Sequence, residues 1–217
     1  ALEHIGMPVG GLFAGTVYLG GDGRLWLWDI LNRDQKGILP RQVKYKGQPV
    51  STSGGANYIE PAKPFSPFEQ GFGVRVRRGK TVYDIPFNTE GFKKVTFQGQ
   101  YPQALVRYEQ TKAPIKAHLE AFSPFIPLSV DDSSLPVTLM HYTLQNKANE
   151  PLDVELYGYL QNPVCLESRK NVHGRLRNRI VREDGFISLV CSAEPSEAEP
   201  AKARPDIQFE DFEKDTY

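Results

Sequence analysis

Cysteine is nearly absent from this sequence. Cys165 and Cys191 are the only two, with no Cys-x-x-Cys and no histidine pair nearby, which excludes the usual structural zinc patterns. One disulfide is the most they allow; two free, partly buried thiols are the plainer expectation. Charge of one sign is also lacking: 26 Lys plus Arg balance 26 Asp plus Glu, so nothing global favours a nucleic acid or an acidic membrane as partner. No apolar run reaches the roughly 18 residues of a membrane span, and the first residues lack the blocks of a signal peptide. The chain as given is therefore expected to be soluble, with any targeting segment absent from it. No window reads as a capped amphipathic helix, and the 17 prolines are scattered throughout.

Several familiar chemistries are missing as well. Gly10-Gly11-Leu12-Phe13-Ala14-Gly15-Thr16 is glycine-rich, but Thr16 follows Gly15 without the lysine of a phosphate loop, and a strand pattern follows where a dinucleotide fold needs a helix. Its glycines are better suited to close backbone approach, within a tight loop or against another domain. His4, His118, His141 and His173 never adopt His-Glu-x-x-His spacing, and no Gly-x-Ser-x-Gly marks a nucleophile. Asp131-Asp132-Ser133-Ser134 lacks the alternating acids and central glycine of a calcium loop. No cofactor, metal site or catalytic residue is expected in this chain.

What is present is a period of two. Ile115, Ala117, Leu119 and Ala121 alternate with Lys116, His118 and Glu120, and Leu152, Val154 and Leu156 alternate with Asp153 and Glu155, as in half-buried strands. Similar runs occupy 72–77, 81–87, 94–97, 104–109, 137–144 and 186–191. Between them stand Arg78-Gly79-Lys80, Gly99-Gln100-Tyr101-Pro102, Asn146 to Pro151 and Glu183-Asp184-Gly185, all expected as hairpin-like connections. A first hairpin is expected where Thr16 to Leu19 and Arg24 to Trp28 flank Gly20-Gly21-Asp22-Gly23. Asn32 to Pro67 should contain long loops.

About ten short strands with these turns predict an all-β fold, a two-sheet antiparallel β-sandwich with little helix; a closed barrel is the alternative. The expected organisation is one sandwich domain over 1–193, followed by an acidic Pro/Ala/Glu-rich loop or linker over 194–217, where acids outnumber bases eight to three. Arg169, Lys170, Arg175, Arg177, Arg179 and Arg182 form a basic stretch, expected as a solvated face or an interdomain contact. Trp26 and Trp28 are two apart and so should point the same way on a strand, either into packing or as a paired-ring platform for sugars.

Taken in order, Gly10 to Thr16, Arg24-Leu25-Trp26-Leu27-Trp28-Asp29, Tyr101-Pro102, Glu120 to Leu128, Asp132 to Val137 and Leu152-Asp153-Val154 resemble the amino-terminal domain of glycoside hydrolase family 116, which includes the non-lysosomal glucosylceramidase (bile acid β-glucosidase). The resemblance spans roughly residues 6 to 165. Its most specific part is Pro124-Phe125-Ile126-Pro127-Leu128 followed by Ser133-Ser134-Leu135-Pro136-Val137, and Phe13 stands where related sequences usually carry glycine. It implies a β-sandwich packed on a carboxy-terminal (α/α)-barrel catalytic domain that acts on a β-glucoside or glucosylceramide-like substrate. In that family a Glu nucleophile and an Asp acid/base lie in the helical domain, about 5 Å apart as retention requires. This chain would then be an accessory domain, with Gly10, Gly11, Gly15, Trp26, Trp28 and Asp29 as candidates for substrate or interdomain contact. The alternative is an independent carbohydrate-binding module that uses Trp26 and Trp28.

Overall fold

The computed structural model describes residues 2, 5–12, 14–30, 41–52, 66–166, 168–170 and 174–196. Strands dominate, and the pairs joined within each sheet are antiparallel. The chain divides into two compact units, Ala1–Gln161 and Asn162–Tyr217.

In the first unit, β1 (Gly6–Pro8), β2 (Thr16–Gly20) and β3 (Leu25–Asp29) form one sheet in sequence order. The expected first hairpin is present: Leu19 faces Leu25, and the Gly20 N–H donates to the Arg24 carbonyl at 2.8 Å. A second sheet has the order β12 (Asp153–Leu160), β6 (Gln70–Arg78), β7 (Thr81–Pro86). The third and largest runs β11 (Leu139–Asn146), β10 (Ile115–Phe122), β9 (Gln103–Glu109), β8 (Lys94–Gln100).

One core is drawn from all three sheets. Met7, Val17, Leu19 and Leu25 come from the first, Val74, Val76 and Ile85 from the second, and Val106, Tyr108, Leu119 and Ala121 from the third. Phe87 stacks on Phe92 and on Tyr142 across this interior. The all-β reading with little helix therefore holds, the one α-helix among the described residues being the single turn α1 (Val130–Ser133). These strands of the first unit fall into three hydrogen-bonded sheets around a shared core.

The period-two reading is most accurate in β10, where Ile115, Ala117, Leu119 and Ala121 are buried and the residues between them are not. β12 departs from it. Val154 and Leu156 face the same way as buried Val76 and Val74, yet are 37% and 50% exposed because β12 is the outer strand of its sheet. Two further expectations change. The connection from Asn146 to Pro151 joins β11 to β12, which belong to different sheets, so it is a crossover and not a hairpin. Within the stretch expected as loops, β4 (Arg41–Tyr45) and β5 (Gln48–Thr52) form a hairpin. Its turn, Lys46-Gly47, has positive φ at both residues (49° and 79°), the geometry that matches strand twist. Most of the rest of that stretch, 32–40 and 53–65, lies outside the described residues, as do Phe13, His4 and His173.

The second unit contains a 3-10 turn, Ser168–Lys170, and a ribbon of β13 (Gly174–Glu183) paired with β14 (Phe186–Pro195). The basic stretch is thus largely a strand. Arg175, Arg177 and Arg179 share one face with Ser192 and Glu194, and Arg177 bonds Glu194 at 2.9 Å; Leu176 and Ile180 share the other with Leu189 and Ala193. The Asn162 amide ties the strands together by donating to the Arg177 and Ser192 carbonyls. Cys165 and Cys191 are free thiols, the first exposed. β14 extends through Pro195, into the predicted linker, whose remainder from 197 onward is outside the described residues.

Candidate functional site

The first unit is capped at one end by a loop whose inside is polar and whose outside is apolar. The chain leaving β10 at Phe122 runs through Pro124-Phe125-Ile126-Pro127-Leu128 into α1 and returns at Leu139. Two serines lock it. The Ser123 hydroxyl accepts the Gly11 N–H at 3.0 Å and donates to the Val137 carbonyl at 3.0 Å. The buried Ser133 hydroxyl accepts the Ile126 N–H at 2.9 Å and donates to the Ile126 carbonyl at 3.1 Å. With these polar groups satisfied internally, the loop holds one shape without a hydrophobic core of its own.

Outward, Phe125, Ile126, Leu128, Val130 and Leu135 are exposed, together with Tyr101 from the β8–β9 turn. Tyr101 meets Phe125 edge-on, with ring centroids 5.9 Å apart. Between that turn and Phe122 to Ile126 lies a groove of 710 Å³, floored by Leu139. Leu128 is the extreme case: its side chain is 106% exposed and its φ is +67°, a region leucine adopts at a cost of roughly 1–2 kcal/mol. A soluble surface rarely gathers apolar residues this way unless something covers them.

The predicted contact residues fall into two neighbourhoods. Gly10 and Gly11 belong to the apolar end. A Cβ on Gly10 would come within 3.0 Å of the Val17 nitrogen, and one on Gly11 within 2.3 Å of the Leu135 carbonyl oxygen. The Leu12 N–H donates to the Ser133 carbonyl at 3.0 Å. The close approach anticipated for these glycines is thus made within the same unit, by Gly10 to Val17 of β2 and by Gly11 to the loop at Leu135. Gly15 is exposed, with φ +96°.

The tryptophans behave differently from a two-ring platform. Trp26 is 5% exposed, pairs with Tyr18 across the sheet and meets its ring edge-on, off the central core. Trp28 is half-buried, packs on that core and lies against Phe68. Between them the β2–β3 register slips, so Thr16 pairs with Asp29 and the strand alternation changes phase. The two rings therefore do not share a face, and the same-face expectation fails because of the bulge. Asp29 closes β3; only its backbone is described.

Carboxylates are spent on neighbouring cations: Asp22 bonds Arg24 at 2.7 Å, Asp84 bonds Arg75 at 2.8 Å and Glu150 bonds Arg78 at 2.6 Å. Lys116 and Lys94 hold the Glu109 carboxyl down at about 2, the opposite direction from the raised value a general acid needs. No group of three or more His, Cys, Asp or Glu among the described residues could hold a metal ion. Sequence reasoning passed over Phe125, Ile126 and Leu128 as contact residues. Their signal was available: three large apolar residues set among prolines, with no polar alternation to place them in a strand.

The family model described as beta-glucosidase 2, glycosyl-hydrolase family 116 N-term, matches residues 6–205. Among curated proteins, none matches the chain.

Proposed function

This chain belongs to the amino-terminal domain family of glycoside hydrolase family 116, and from that membership we propose that it is a non-catalytic domain supporting a carboxy-terminal (α/α)-barrel in a retaining β-glucosidase. The substrate of the whole enzyme would be a β-glucoside or glucosylceramide-like molecule, and the segment 194–217 would lead toward the catalytic domain. The observation that carries this reading is the apolar end: a rigid loop that keeps its polar groups inside and displays Phe125, Ile126 and Leu128. Such a surface fits a partner's apolar groove better than it fits water. Gly11 braces the loop of this docking face through Ser123 and Leu135, Gly10 and Gly15 would lie on its approach, and its margin would form part of the aglycone rim.

A carbohydrate-binding module built on a Trp26/Trp28 platform has no comparable support, since one ring is buried and the other packs on the core.

Two measurements test the proposal. Homogeneous chain is expected to leave an aryl β-glucoside intact, whereas turnover would overturn the non-catalytic role. Added to the separately expressed catalytic domain of the same protein, the chain is expected to associate, and Leu128→Asp to weaken that association at least about tenfold. Equal binding by the variant would remove the apolar end from the interface.

A further inference from the structure

Elsewhere in the first unit lies a concavity of the opposite character. A cavity of 420 Å³ opens where the β2–β3 turn, the chain entering β6 and the end of β12 meet, walled by Asp22, Arg24, Trp26, Glu69, Tyr159 and Gln161 among others. Its volume is within the range of small-molecule sites.

Its two glutamines are held in place, and each has capacity left over. Gln161 accepts the Glu69 N–H through Oε1 at 2.9 Å, and its backbone N–H donates to the Glu69 carbonyl at 2.7 Å, so its amide NH₂ has no acceptor among the described residues. Gln70 is the converse: its NH₂ donates to the Leu25 carbonyl at 2.7 Å, and its Oε1 has no donor among the described residues. Arg24 is committed to Asp22. Glu69 makes no ion pair among the described residues, so the uncompensated charge of the wall is negative and disfavours an anion. The remaining wall is aromatic. Tyr159, half-exposed, supplies the accessible ring face, while Trp26 lies beneath the wall, 5% exposed, as a buried neighbour whose Nε1 has no acceptor among the described residues.

Donors and acceptors side by side, around an aromatic surface, match a ligand whose every polar group can both donate and accept while its C–H face lies on a ring. Hydroxyls have that property; phosphates and carboxylates do not. We propose that this cavity binds a neutral polyhydroxylated molecule of pyranose size, at a site separate from the apolar end and independent of its role in docking.

Trp28→Phe leaves Trp26 as the sole tryptophan, so its emission reports on the cavity alone. Titrating the full chain carrying this change with methyl β-D-glucopyranoside is expected to shift that emission saturably, with Kd on the order of 1 mM. Adding Glu69→Gln or Tyr159→Phe is expected to weaken binding about tenfold, with circular dichroism unchanged. Saturation-transfer NMR on the unaltered chain gives the same readout without touching a tryptophan. The site is refuted by no transfer and no saturable shift up to about 50 mM glucoside, by an effect that both added variants leave intact, or by an equal response to tetramethylammonium or inorganic phosphate.

Discussion

Gly11 stands against Leu135 so closely that a Cβ on the glycine would lie 2.3 Å from the leucine carbonyl oxygen, at a φ of +97° that side chains rarely adopt. This contact seats the glycine loop on the segment that carries Phe125 to Val130, so the apolar end is one braced piece. Gly11→Ala is expected to lower stability by about 2 kcal/mol or more, combining backbone strain with a clash that no flexible side chain can relieve. The urea midpoint measures it. A midpoint within error of the parent would mean the two loops are not braced together.

Leu128 tests whether strain is stored at the proposed docking face. Leu128→Asn keeps the left-handed backbone, which asparagine tolerates, and removes the exposed apolar side chain. Stability of the isolated chain is expected to rise by about 0.5–1 kcal/mol while affinity for the catalytic domain falls. Opposite signs in thermal unfolding and binding are the signature; a loss in both would assign Leu128 a purely structural role.

Glu109 sets a pH limit. Its carboxyl is lowered from 4.5 to about 2 in the folded chain, chiefly by its hydrogen bonds to Lys116 and Lys94. A depressed folded value means the contribution is fully present above pH 4.5 and disappears as pH falls toward 2. Urea midpoints of Glu109→Gln are therefore expected to fall less than those of the parent between about pH 5 and about pH 2.5, a span over which most of that contribution is lost. Parallel curves would show that the three groups do not interact in solution.

Trp26 should act as a packing residue. Its ring meets Tyr18 edge-on and lies so close to Gly6 that a Cβ there would fall 2.7 Å from it. Trp26→Ala is expected to cost about 3–5 kcal/mol in unfolding free energy, the range for deleting a buried aromatic. A cost below about 1 kcal/mol would show the ring to be solvent-facing after all.

Strands and most of the turns between them could be read from residue order alone, because both are local. Alternation at Ile115, Ala117, Leu119 and Ala121 needs only the two-residue repeat of a strand, and the turn from Gly20 to Gly23 needs only a positive φ at Gly23. The family, too, was legible in motifs such as Pro124 to Leu128. Tertiary structure decided what depends on partners distant along the chain. The slip opposite Val17 sends Trp26 and Trp28 to different surroundings although they are two residues apart. The place of β12 at a sheet edge leaves Val154 and Leu156 exposed despite the pattern of a buried face. Ser123, reaching Gly11 from 112 positions away, turns a proline-rich connection into a rigid apolar display. Periodicity specifies which way a side chain points from its own strand; only the packed fold specifies what it meets there.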